Sequence, residues 1–148
     1  MVAVHDGREK NFKWSTFSWS RGGCHVLALD AEPNGIGGTV TVSQTAEAAA
    51  RLHMATGRAP LVYISRYGPD ERGTGFPNGV LSRCPLWLPE YGPLPVCPPG
   101  WSKWTLWQHT DGLKGSAVVP IPEIGRCDRS WFAGTVAELT AWWKAPRS

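Results

Sequence analysis

The run Val26-Leu27-Ala28-Leu29-Asp30-Ala31-Glu32 carries an apolar stretch straight into two carboxylates separated by one residue. Alternate side chains of a strand share a face, so this spacing projects Asp30 and Glu32 to the same side. Holding two like charges close raises the protonation pKa of at least one of them. One acid kept protonated beside one kept ionised can deliver a proton to a leaving oxygen while facing positive charge on a sugar ring, the chemistry of glycosidic cleavage. A strand end emerging into solvent is the competing reading, and the pair alone weighs the two equally.

Other chemistries find less support. His5, His25, His53 and His109 lack metal-ligand spacing, and Cys24, Cys84, Cys97 and Cys127 contain no C-x-x-C pair. No metal or organic cofactor is expected. His109 reads as a surface residue rather than a base. No Gly-x-Ser-x-Gly elbow is present, nor a Cys and His pairing that would support a protein nucleophile of that kind. The nine tryptophans are unusual for the length, and indole faces pack in cores but also stack on sugar rings.

The elements that must hold these residues follow from periodicity. Residues 24 to 32 read as a strand, stopped by Pro33-Asn34-Gly35 and Gly37-Gly38. Thr41-x-x-Gln44 has the form of a capping box. Ala46, Ala49, Ala50 and Met54 follow at helical spacing as far as Gly57, predicting a helix over 43–56. Leu61 to Ser65 is a short apolar run suited to a strand buried on both faces, so strand, helix and strand form a parallel crossover. Pro85 to Leu88 and Trp104 to Gln108 give two more strands, joined by an irregular connection with five prolines between Pro89 and Gly100. Asp111 to Arg126 reads as a loop. Thr135-x-x-Glu138 opens a terminal helix whose Val136, Leu139, Trp142 and Trp143 form an apolar face. Residues 1 to 22 form a polar opening with no clear element. The outcome is a largely parallel α/β sheet with Asp30, Glu32, Tyr63, Trp87 and Gln108 near strand C-terminal ends, the rim where β/α barrels collect their active sites.

Size and charge bound the class. At 148 residues one domain with a real core is expected. The formal net charge of +3 is spread among interspersed acids and bases, which argues against nucleic acid as a partner, and no apolar run is long enough to cross a membrane. Met1 to Lys10 lacks the apolar core of a secretory signal, so synthesis in the cytoplasm with free thiols is the expectation.

Five motifs in order resemble glycoside hydrolase family 25, the Chalaropsis-type lysozymes common among phage endolysins and bacterial autolysins. They are Leu29-Asp30-Ala31-Glu32-Pro33-Asn34; Thr56-Gly57-Arg58-x-Pro60-Leu61-x-Tyr63; Cys84-Pro85-Leu86-Trp87-Leu88-x-x-Tyr91-Gly92; Trp104-Thr105-Leu106-Trp107-Gln108-x-Thr110-Asp111-Gly112; and Cys127-Asp128-Arg129-Ser130-x-Phe132-x-Gly134. The resemblance implies a β/α barrel that hydrolyses the β-1,4 bond between N-acetylmuramic acid and N-acetylglucosamine in bacterial peptidoglycan. Glu32 matches the general acid and Asp30 its partner in the D-x-E motif. Asp128 matches a further acid of the site, with a cap on the following turn through Ser130 as its structural alternative. Tyr63, Trp87 and Gln108 match groups lining the sugar groove, Trp87 favoured for stacking and Trp107 for the core.

The opening departs from that family. No Asp-x-Ser strand precedes Asp30, and 29 residues cannot hold the three strand and helix units expected there. Residues 1–23 are therefore read as a divergent segment and 24–148 as the C-terminal part of an incomplete barrel. An unclosed sheet would leave an edge that invites self-association. Two further readings from other classes are a catalytically impaired remnant that binds wall glycan and a general carbohydrate-binding module.

Overall fold

A computed structural model describes residues 26–33, 39–68, 79–116 and 118–144. The reading of residues 1 to 22 and the state of Cys24 lie outside the described residues. Five strands and two helices follow in the order β1 (Ala28–Ala31), α1 (Val42–Thr56), β2 (Leu61–Ile64), β3 (Leu86–Pro89), β4 (Leu106–Thr110), β5 (Arg129–Phe132) and α2 (Val136–Lys144), with a 3-10 turn at Leu81–Arg83. They form one sheet in the order β1-β2-β3-β4-β5, the first four parallel and β5 antiparallel to β4.

The helix between β1 and β2 starts where its cap is chemically strongest. Thr41 Oγ1 accepts from the Gln44 amide at 3.1 Å while the Gln44 side chain accepts from the Thr41 amide at 2.8 Å, so two amides without helical partners are satisfied reciprocally. Gly57 closes it in the left-handed region at φ 72°, its amide bonded to the His53 carbonyl at 2.8 Å. Val42, Thr45, Ala48 and Ala49 lie on its buried face. Small residues there let the helix come close to the sheet, where the core gathers Ala31, Val62, Ile64, Leu81, Cys84, Leu86 and Leu88 with Val42 and Ala49.

Alternation does the rest. Val62 and Ile64 of β2 and Leu86 and Leu88 of β3 enter that core, so Tyr63 and Trp87 project from the opposite face of the sheet. Pairing in register then lines up Asp30 with Tyr63, Tyr63 with Trp87, and Trp87 with Leu106, while Gln108 stands two residues farther along β4 on the same side. Same-side residues on neighbouring strands form a continuous row.

Two features go beyond the sequence reading, and one expectation, that for His109, is corrected. The segment Arg129–Phe132 is a fifth strand, because its backbone finds the free side of β4 across a bulge between Gln108 and Thr110. The apolar stripe of α2 is not a buried face: no residue of α2 is buried, Val136 is 81% exposed and Trp143 50%. Trp142 does lie against Phe132 with ring centroids 6.0 Å apart, and its carbonyl accepts from Arg58 Nη2 at 3.1 Å. His109 is buried rather than at the surface, its Nδ1 2.8 Å from Ser116 Oγ and its ring stacked on Trp131 at 5.3 Å. Cys84, Cys97 and Cys127 are free thiols, and burial pushes Cys84 up to about 11.

Candidate active site

The cleft forms because the sheet ends where its polar residues begin. Asp30 is the third residue of β1, and Glu32 lies just past the strand, where the backbone leaves the core. Both are exposed at the C-terminal rim, while Ala31 between them is buried at 1%. Next along that rim, Trp87 is fixed on two sides. Tyr63 meets its ring edge-on, with centroids 5.2 Å apart and planes at 82°, and its indole N–H donates to Ser130 Oγ at 3.0 Å. That second bond ties β3 to β5 over β4 and occupies the Ser130 hydroxyl. The end of β4 contributes Gln108, only 3% exposed, whose amide donates to the Tyr91 hydroxyl at 3.0 Å.

Ala28, Leu29, Asp30, Glu32, Tyr63, Trp87, Gln108 and Asp128 line one cleft of about 180 Å³. All six residues singled out as site candidates from the sequence, Asp30, Glu32, Asp128, Tyr63, Trp87 and Gln108, thus meet in one place, although 98 positions separate the first from the last. No group of three or more potential metal ligands is found among the described residues.

The electrostatics follow from three carboxyls sharing that space. Burial of the carboxyl raises the Asp30 pKa even though the residue is open to solvent at the rim, because protein mass on one side displaces part of its hydration. Glu32 is raised first by burial and then by the negative charges of Asp30 and Asp128. Both burial and the neighbouring charges therefore favour the protonated form of Glu32. Tyr63 is raised well beyond the ordinary phenol by burial, by its neighbour Tyr91, and by Glu32 and Asp30, which keeps it neutral.

Tyr91, whose hydroxyl accepts from the Gln108 amide beside the cleft, is a residue that sequence reasoning passed over. It stood inside a quoted motif without a role, and it lies beyond β3, where alternation no longer says which way a side chain points. The backbone explains its position. Glu90 N–H donates to the Gln108 carbonyl at 3.1 Å and the Trp107 indole donates to the Glu90 carbonyl at 2.7 Å, so the β3 and β4 partnership continues past the strand end. The Glu90 carboxylate lies 3.3 Å from Arg66 Nε, an ion contact without the alignment of a hydrogen bond. Trp107, expected in the core, is only partly buried and is spent on this brace.

No protein-family profile matches the sequence, and no curated protein is significantly similar to it. Solved structures are similar in three dimensions. A muramidase from Acremonium alcalophilum superposes with a TM-score of 0.57 and 28% identity, covering 78% of this chain and 54% of that one. A muramidase from Trichobolus zukalii gives 0.59 and 24%, with 80% and 55% covered. The lysozyme of Streptomyces coelicolor gives 0.57 and 23%, with 80% and 54% covered. The chain spans about half the length of these structures. With a mostly parallel sheet, one rim of acids and these neighbours, the chain has a family 25-like lysozyme fold, present as part of the barrel.

Proposed function

We propose that the protein is a peptidoglycan hydrolase of the N-acetylmuramidase type, cleaving the β-1,4 bond between N-acetylmuramic acid and N-acetylglucosamine. The observation that carries this reading is the convergence of Asp30, Glu32 and Asp128 with Tyr63, Trp87 and Gln108 around one cleft, with Glu32 biased toward its protonated form. Glu32 donates its proton to the glycosidic oxygen as the bond from that oxygen to the anomeric carbon breaks, and the leaving sugar departs as an alcohol. Asp30 assists at the anomeric side, where positive charge develops. Asp128 adds a negative charge that keeps the proton on Glu32. Trp87, fixed by Tyr63 and Ser130, offers a ring face on which a pyranose stacks. The Glu32 carboxylate left after the first step then takes a proton from the water that completes hydrolysis.

Turbidity clearing of purified walls tests the reading, together with identification of the new reducing ends. Clearing with muramic acid at the reducing end is expected. Glu32→Gln should lower the rate by roughly 10²- to 10⁴-fold, the usual worth of a general acid, with the fold retained by circular dichroism. Equal clearing by both proteins would overturn the assignment of Glu32. One observation favours a second reading, a wall-glycan binder without hydrolysis: the Asp30 strand is the edge of the sheet among the described residues. Pelleting with walls without clearing would select it.

A further inference from the structure

We infer that Tyr91 is a positioning residue: its hydroxyl holds the Gln108 carboxamide in the wall of the cleft, so that the rest of that amide is presented to the ligand. This rests on the reading of the ligand as an N-acetylated wall glycan, and it gives a task to a residue that stands beside the cleft rather than in its lining. Gln108 lines the cleft and yet is only 3% exposed, so its amide has few ways to meet water. A carboxamide carries two N–H donors and a carbonyl oxygen. One N–H of Gln108 goes to the Tyr91 hydroxyl at 3.0 Å, while Oε1 has no partner among the described residues. The sealed side-chain atoms left without partners there are Arg66 Nε and Arg129 Nε, so Gln108 Oε1 keeps a path to solvent, and the cleft is the opening that this residue lines. A buried polar group held without a partner is costly, and a ligand hydroxyl or acetamido group that fills it removes that cost.

The bond to Tyr91 matters because a glutamine amide does not orient itself. Its terminal torsion is broad, so an untethered Gln108 amide would sample many directions. Tyr91 selects one of them, and the backbone fixes Tyr91 in turn. Its neighbour Glu90 donates its N–H to the Gln108 carbonyl at 3.1 Å and accepts from the Trp107 indole at 2.7 Å, so the chain after β3 stays against β4 where Tyr91 begins. A group oriented before binding loses less freedom on binding. Asp30, Glu32 and Asp128 accept when ionised and do not donate, and the Trp87 N–H is spent on Ser130, so the second N–H of Gln108 is a donor that this acidic cleft can offer to ligand oxygens.

The probe is chitotriose, titrated at neutral pH against the full chain while the Gln108 side-chain amide is followed by 15N NMR. In the wild type that amide is expected to be ordered before the sugar is added and to shift as it binds. Tyr91→Phe and Gln108→Met should each weaken binding roughly two- to tenfold, the usual worth of one hydrogen bond, and the double variant should bind no more weakly than Gln108→Met alone. A tyrosine that served only the fold would instead add its loss to that of Gln108→Met. Additive losses, or wild-type affinity in Tyr91→Phe, overturn the inference and leave the muramidase reading standing. Where the variants do not fold, the wild type still decides: a Gln108 amide as mobile as that of a surface glutamine, or one whose resonance stays in place while chitotriose binds, overturns the inference. Failure of the wild type to bind chitotriose at all overturns both.

Discussion

Glu32 is the residue whose chemistry depends most on its neighbours. Its carboxyl is held above the ordinary 4.5 by burial and by the charges of Asp30 and Asp128. A general acid must carry its proton, so activity is lost as pH rises through the folded-state pKa. Asp30→Asn removes one of the charges that disfavour ionisation, so the Glu32 pKa falls and the high-pH limb of the rate profile moves to lower pH. A limb that stays in place or moves upward would show that Asp30 does not act on Glu32. Linkage gives a second sign. A carboxyl whose folded pKa lies above its unfolded value stabilises the fold fully only below the unfolded value, and that contribution is lost as pH rises through the folded one. Glu32→Gln is therefore expected to melt slightly higher than the wild type at pH 7 and to show no gain at pH 3. Ser130→Ala releases the Trp87 indole from its partner at 3.0 Å, so glycan affinity, read by intrinsic fluorescence titration, should fall by roughly threefold with the fold intact.

At the scale of elements, the capping boxes and strand runs were legible because each is a local balance of backbone donors and apolar spacing. Thr41 with Gln44 and Thr135 with Glu138 close as expected, the latter with Thr135 N–H donating to Glu138 at 2.7 Å. The strand β5 was missed because Arg129-Ser130-Trp131-Phe132 has no inward and outward alternation. Its Trp131 is 58% exposed, and only the partner strand holds it in place. The turn between β4 and β5 shows how tight that approach is. Asp111 accepts from the amides of Leu113 at 2.8 Å and Lys114 at 2.6 Å, and Gly115 bridges back to Thr110 at φ 88°. A Cβ at Gly115 would fall 2.0 Å from the His109 carbonyl oxygen, a backbone atom that cannot move aside. Gly115→Ala is expected to cost about 2 to 4 kcal/mol in chemical denaturation and to loosen Gln108 through β4. A loss under about 0.5 kcal/mol would mean the turn rearranges freely.

Across the whole molecule the order is unequal. The helix α1 buries Val42, Thr45, Ala48 and Ala49 against the sheet, whereas α2 buries nothing and is held by Trp142 and the bond from Arg58. Native-state amide exchange should therefore find α2 opening at a lower free energy than α1, by about 2 kcal/mol or more; equal protection would require a packing partner for the apolar stripe of α2. What was settled before folding was short in range. The D-x-E spacing puts two acids on one side of a strand, the apolar runs mark β1 to β4, and the capping boxes mark both helices, because periods of two and 3.6 residues are properties of the chain. What needed the fold was long in range. Bringing Asp128 to Glu32 depends on an antiparallel strand that no periodicity announces. Placing the Gln108 amide against the Tyr91 hydroxyl depends on the pairing of β3 with β4. Such contacts exist only once register brings distant residues together, since a hydrogen bond or a charge acts over a few ångströms of space, whatever the separation along the sequence.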